Sequence, residues 1–327
     1  MNKQIKIGLI GAGRWGPNVI GAIDRLPTAN IVKVADCNVE ALSNLKLKFP
    51  NVTTTKSHHD IFEDHKIDAV AICTPVESHT NLVRLALEYG KHVFVEKPIT
   101  LTAADAKIAY DEAKKNNKVL AVGFNRRFHP NFIKIVEMIK NNELGKVLHI
   151  EGTINAPGLW MYAPESWRSS AAETPAGGMT GMGIHIIDQM IASNGNISSA
   201  YAQTAKVIKM GDLDEITSVL FKFENGSTGY LGTSIASSIF YNFRVIAENG
   251  TIEIIERDLS VMKYTPREGD ITTTTESANM CKNELEAFAD AINGVAPYPV
   301  TADEGIHGAA VFEAVINSAE KETLVKI

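Results

Sequence analysis

The first 120 or so residues alternate short apolar runs with helix-forming stretches, and this alternation restricts the fold more than any other feature. IKIGLIG (5–11), IVKVAD (31–36), DAVAICT (68–74), HVFVEKP (92–98) and KVLAVGF (118–124) read as strands. Helices are expected between them, from Trp15 to Leu26, Val39 to Lys48, His79 to Tyr89 and Ala103 to Asn116. Strands apolar on both sides and separated by helices specify a parallel sheet covered on both faces. The first strand–helix junction carries Gly11-Ala12-Gly13-Arg14-Trp15-Gly16. In that setting the first glycine permits a tight turn, the second lets backbone approach a pyrophosphate, and the third lets helix pack on strand. The N–H groups at the helix start suit phosphates. Asp36, 20 residues after Gly16 at the end of the second strand, stands where a carboxylate accepts bonds from ribose hydroxyls and repels a 2′-phosphate. NAD is therefore expected over NADP, with Arg14 and Asn38 leaving some room for the latter.

After Phe124 the texture changes. A helix from Pro130 to Lys140 precedes the strand-like KVLHIEGTINA, and a loop rich in Trp, Pro and Ser covers 157–176. A glycine-rich start, GGMTGMG, leads into a helix from about Thr180 to Ser193. From Ala200 to Tyr264 strands alternate with turns, among them Glu224-Asn225-Gly226 and Glu248-Asn249-Gly250, and Asn-Gly is a strong hairpin signal. Helices at 281–293 and 303–321 finish the chain. The expected class is α/β. A Rossmann doubly wound parallel sheet occupies 1–123, and an α+β domain with a mostly antiparallel open sheet occupies 124–327. One face of the second sheet should carry helices. The other, in TSVLFKF and STGYLGTSI, is too apolar for solvent and is expected to be buried in a homo-oligomer, a dimer or tetramer.

Composition excludes several classes. A net charge of −6 and a pI near 5.9 argue against nucleic acid or an anionic membrane as partner. No apolar run approaches a membrane span, and the N-terminus lacks the apolar core of a signal peptide, so a cytoplasmic location is expected. Cys37, Cys73 and Cys281 show neither metal-ligand spacing nor a disulfide framework, and no metal is expected. Cys37 and Cys73 read as small buried residues near strand ends.

Two further stretches fall past strand ends, where ligands of such sheets sit. In Cys73-Thr74-Pro75-Val76-Glu77-Ser78-His79 the first three residues should line the dinucleotide. His79 either joins them or is satisfied locally at a helix start. Glu96-Lys97-Pro98 delivers an ion pair to the same edge, and Pro98 holds Lys97 extended. GLIGAGRWG, CTPVESH, VFVEKPIT, GFNRRFHP and GGMTGMGIHIID, in this order and spacing, resemble the glucose–fructose oxidoreductase, inositol dehydrogenase and rhizopine-catabolism (Gfo/Idh/MocA) family over nearly the whole chain. The resemblance implies oxidation or reduction of a hydroxyl-bearing carbon on a sugar, nucleotide sugar or cyclitol. It implies that Lys97 contacts the reacting hydroxyl, that Glu96 helps position the nicotinamide region, and that His185 reaches the reacting carbon's oxygen. The family commonly carries an aspartate four residues before that histidine, and here the position is Gly181.

For such chemistry His185, with an ordinary pKa near 6.5, suits the base, while Lys97 holds the hydroxyl; the swapped roles remain open because Gly181 removes the orienting carboxylate. Asn125 is expected to reach the cofactor, and Arg126, Trp167 and Arg168 the substrate, as arginine clamps acidic groups and aromatic rings stack on sugars. Arg127 reads as structural, and Asp188 as fixing the helix. Two competing readings stand beside the dehydrogenase: a non-catalytic dinucleotide sensor, and an enzyme that recycles NAD during elimination or hydrolysis.

Overall fold

The computed structural model describes residues 3–327. By its internal contacts the chain divides into two units. One comprises residues up to Asn125 with Asn279–Gly305, the other Arg126–Ala278 with Ile306–Ile327.

The first unit contains β1 (Ile5–Ile10), α1 (Gly16–Ile23), β2 (Ala29–Ala35), α2 (Val39–Lys48), β3 (Thr53–Thr55), α3 (His59–Phe62), β4 (Ala69–Ile72), α4 (His79–Glu88), β5 (His92–Glu96), α5 (Ala103–Lys115) and β6 (Leu120–Gly123). All pairings are parallel, in the order β3-β2-β1-β4-β5-β6. Every residue of β4 is buried, as are Val93, Phe94 and Val95 of β5, which is what a sheet covered on both faces requires. Helix starts follow local chemistry. Asn38 Oδ1 accepts from the N–H groups of Glu40 and Ala41, and Thr102 Oγ1 from that of Asp105. The strand β3 does not appear in the sequence reading. It is a three-residue polar edge strand, without the apolar run that marks a buried one.

The second unit begins with α6 (Pro130–Lys140) and β7 (Val147–Asn155), then α7 (Gly158–Met161) and α8 (Ile184–Asn194). There follow β8 (Ile197–Ala205), β9 (Ile216–Phe223), β10 (Thr228–Ser234), β11 (Phe240–Ala247), β12 (Gly250–Ile254), β13 (Val261–Pro266) and β14 (Thr272–Thr275). The helix α9 (Met280–Ile292) belongs to the first unit, where Leu285, Phe288 and Ala289 are buried and Phe288 lies 5.8 Å from the Phe94 ring. After α10 (Ala302–Lys321), β15 (Val325–Lys326) closes the chain. The nine-stranded sheet runs β14-β13-β12-β11-β7-β10-β9-β8-β15 and is antiparallel except for β7 against β10. Both Asn-Gly turns are hairpins, joining β9 to β10 and β11 to β12. On β7, Gly152 lies directly under Ile186 of α8, where any β-carbon would collide with that side chain. This contact seats α8 on the sheet.

Among the described residues no helix is long and apolar enough to cross a membrane. The three cysteines are free; Cys37 is exposed rather than buried, because it sits in the turn that leaves the sheet after Asp36, and Cys73 is half-buried.

Candidate active site

In the first unit the strand order reverses between β1 and β4, the switch point at which the carboxyl ends of a doubly wound sheet leave a crevice. Gly11 occupies it with φ +103°, and a β-carbon there would fall 2.6 Å from the Cys73 carbonyl oxygen. A β-carbon on Gly16 would strike the Gly11 carbonyl. At Gly13 nothing lies within 4 Å of that position, so backbone faces open space at the start of α1. The three glycines thus hold the turn, the cradle and the helix contact that a pyrophosphate needs. Asp36 closes the same loop. Its Oδ2 accepts from the Ala12 N–H at 2.7 Å and its Oδ1 from the Asn38 N–H at 2.8 Å, leaving lone pairs for a ribose diol. The Asn38 Oδ1 is engaged in capping α2. Asp36→Ala is expected to weaken NADH binding by about tenfold to a hundredfold, with NADPH unchanged or tighter, in a fluorescence titration. Equal losses for the two cofactors would contradict this role for the carboxylate.

The next strands along bring their own ends to this edge: Cys73, Thr74 and Pro75 after β4, Glu96 and Lys97 at the end of β5, and Asn125 after β6. The Lys97–Pro98 bond is cis. His79 is buried, with Nδ1 2.9 Å from the Pro98 carbonyl and Nε2 3.0 Å from that of Thr74. The ring therefore sits between the loops after β4 and β5 and, kept neutral by burial, donates its one N–H to one of these two carbonyls. Glu96 folds over Gly123, where a β-carbon would stand 3.0 Å from Oε1. Its carboxyl is pushed up to about 7, chiefly by burial, against the pull of Lys97 and of the Trp15 indole. Burial, with Glu96 adding to it, also pushes the Cys73 thiol up.

That shift has a sign. Because the native pKa of Glu96 lies above the ordinary 4.5, its contribution to stability is complete below about 4.5 and is lost as pH rises through about 7. Thermal melts of the native chain and Glu96→Gln between about pH 5 and about pH 8 are expected to converge at the acid end, with the native chain losing more towards the alkaline end. Parallel curves would contradict it.

In the second unit the glycine run forms a π-turn, Met179–Gly183, ahead of α8. Gly177 has φ +55° and packs on the Asp214 carbonyl; Gly178 and Gly183 both lie against Thr233 of β10. Gly178 and Gly183 are thus explained by the approach of the run to β10, and Gly177 by its packing on the loop before β9. Gly181 alone is exposed, with nothing within 4 Å of where a β-carbon would point. His185 follows in the first turn of α8 and is half-buried. One turn on, Asp188 pairs with Arg127: Nε is 2.9 Å from both carboxylate oxygens and Nη2 is 2.8 Å from Oδ1, with the residues 8% and 4% exposed. Arg126 is also buried. Its guanidinium lies 4.5 Å from the centre of the Tyr241 ring and donates to the Arg257 carbonyl at 3.0 Å, while the Tyr241 hydroxyl donates to Gln189 of α8. Arg168 stacks on Trp167 at 4.2 Å, with Tyr162 beyond at 5.8 Å. Among the described residues no group of three or more His, Cys, Asp or Glu could hold a metal.

Residues 5–124 match a family model described as the oxidoreductase family, NAD-binding Rossmann fold, and 132–253 match one described as the GFO/IDH/MocA C-terminal domain. The chain belongs to the Gfo/Idh/MocA oxidoreductases. Among this family the uncharacterized oxidoreductase YrbE of Bacillus subtilis is 29% identical, over 97% of this chain and 95% of its own. The myo-inositol 2-dehydrogenase of Thermotoga maritima is 27% identical over 99% and 98%. Levoglucosan dehydrogenase, solved with NADH and levoglucosan, shares the fold at a TM-score of 0.89 and 23% identity, covering 99% of both chains. In this Gfo/Idh/MocA chain the contact of Trp15 with Glu96 and the pairing of Arg126 with Tyr241 escaped the sequence reading. Both join residues far apart in the chain, and no local pattern signals them.

Proposed function

We propose that this Gfo/Idh/MocA chain is an NAD-dependent dehydrogenase moving a hydride between nicotinamide and a secondary hydroxyl or ketone of a cyclitol, sugar or nucleotide sugar. The observation that carries the reading is the single carboxyl edge of the parallel sheet, which gathers the glycine turn, Asp36 and the Glu96–Lys97 pair. The names of the Thermotoga relative and of levoglucosan dehydrogenase support the polyol class. Residues 1–123, with Asn125, hold the cofactor and bring Lys97 to the substrate, and 124–327 supply the other substrate contacts and the assembly face. The chain works in the cytoplasm, where free cysteines persist.

NAD, when bound, supplies the hydride acceptor. Gly11, Ala12, Gly13, Arg14, Trp15, Gly16, Asp36, Cys73, Thr74, Pro75 and Asn125 form its cradle, and Glu96 sets the charge beside its reactive ring. The Lys97 ammonium holds the reacting hydroxyl and stabilises charge on its oxygen, and the His185 imidazole takes the proton. One observation favours the swapped assignment: Gly181 offers no carboxylate to orient His185. The pH–rate profile of His185→Ala separates the two, since full activity in that variant excludes His185 as base. Trp167 and Arg168 contact the substrate. A polyol deuterated at the carbinol carbon tests the reaction itself. Deuterium should appear in the reduced nicotinamide with a primary isotope effect, whereas return of the deuterium to the product, with solvent hydrogen exchanged in at the neighbouring carbon and no net NADH, would point to recycled NAD.

The same chain forms a homo-oligomer, a dimer or tetramer, through the outward face of the nine-stranded sheet. One row crosses that face in register: Tyr201, Leu220, Tyr230, Glu151, Arg244, Glu253. Its first half is apolar, with Leu220 58% exposed, and in its second half Arg244 bridges Glu151 and Glu253 at 2.9 Å each. An apolar patch of this kind is the usual mark of an interface. Light scattering at micromolar concentration should give a mass above one chain, and Leu220→Glu should shift it towards the monomer. A monomeric native protein would contradict this assembly.

A further inference from the structure

The edge of the parallel sheet opposite the switch point holds a second cavity, of about 410 Å³, that the proposed reaction does not use. It lies at the amino ends of the strands and is lined by Lys3, Asp68, Lys91, His92 and Lys118, with Tyr89 at its side. Lys91 is 4% exposed, and its ammonium donates to the carbonyls of Asp64 at 2.7 Å and Ile67 at 2.9 Å. Those two bonds leave one of its three hydrogens for a ligand. Asp68, the one carboxylate of the lining, is taken up by Lys3 Nζ and by the Lys6 N–H at 3.0 Å. Three lysines, Lys3, Lys91 and Lys118, thus face a single carboxylate among the described residues of the lining, which leaves it net positive.

His92 adds a neutral donor. Its Nδ1 accepts the Val119 N–H at 3.0 Å, so the neutral ring carries its hydrogen on Nε2. Burial above all, then the Lys118 charge, pulls its pKa down to about 4, which keeps this tautomer at neutral pH. Burial likewise pulls Lys91 down, opposed by Asp64 and Asp68 and reinforced by Lys118. An anion between these groups relieves the repulsion of the two ammonium groups. Among the described residues the donors of the cavity are ammonium groups and a single N–H, point charges of the kind lysine offers to a phosphate.

We propose that this cavity binds a small phosphate monoester, its phosphate held by Lys91, Lys118 and the His92 Nε2–H and its organic part beside Tyr89. The site is independent of the cofactor reading, because it lies at the other end of the strands. The probes are inorganic phosphate and glycerol 3-phosphate, titrated by calorimetry into the full chain kept saturated with NADH, with glycerol as the uncharged control. The His92 Nε2 resonance is followed in parallel. Saturable binding of both phosphates with a shift at His92 is expected, weakened about tenfold in Lys118→Gln and in His92→Phe, with NADH affinity unchanged within about twofold. Absence of saturable binding, binding only when NADH is omitted, equal affinity for glycerol, or unaltered affinity in both variants would overturn the assignment.

Discussion

Lys97→Met is expected to lower kcat by about a hundredfold to ten-thousandfold while leaving the NADH dissociation constant within about threefold. Lys97 follows directly on β5, beside Glu96 at the carboxyl edge of the sheet, and methionine keeps its bulk while removing the charge and the donor. A group that stabilises an oxygen only as its charge develops acts on kcat rather than on cofactor binding. A second readout comes from Glu96. Lys97 holds its carboxyl down against the push of burial, so the variant should move Glu96 still further up. A turnover number within about tenfold of the native chain would remove Lys97 from the chemistry.

The largest loss of stability is expected from Arg127→Met. The Arg127–Asp188 pair is nearly solvent-free and makes close contact through two guanidinium nitrogens, so removing one partner strands a buried charge. Breaking such a pair costs about 3–5 kcal/mol, a large share of a total of roughly 5–15 kcal/mol. At about 2–4 °C per kcal/mol for a unit of this size, the melting temperature should fall by roughly 10 °C. The double variant Arg127→Met with Asp188→Leu should regain most of that loss, because no unpaired charge is left. Asp188 is three residues beyond His185 on α8, so the pair also fixes the helix that presents the histidine. A single variant that melts within about 2 °C of the native chain would show the pair to be dispensable.

The parallel sheet was legible because its strands are apolar on both faces, and the two hairpins because Asn-Gly specifies their turns. Gly16 and Asp36 stand as their spacing implied, since their contacts lie within one strand–turn–helix unit or its neighbour, while Gly11 meets the Cys73 carbonyl across the sheet. What escaped was long-range. The parallel pairing of β7 with β10 joins strands some 80 residues apart, and no hydrophobic period records it. His79 is a strut because of the Pro98 carbonyl, 19 residues on. Arg126, expected at the substrate, is held by Tyr241 and the Arg257 carbonyl, both far along the chain. In the glycine run, Gly178 and Gly183 pack against β10 and Gly177 against the loop before β9, while nothing lies within 4 Å of where a β-carbon of Gly181 would point.

The most direct measurement follows NADH absorbance when the purified chain meets NAD and, in turn, inositols, anhydrosugars, hexoses and nucleotide sugars. The account expects net NADH to accumulate with at least one of them, one equivalent per ketone formed, and to vanish in Lys97→Met. Tight NAD binding with no reduction by any of these polyols would contradict it and leave the dinucleotide-sensing reading in its place.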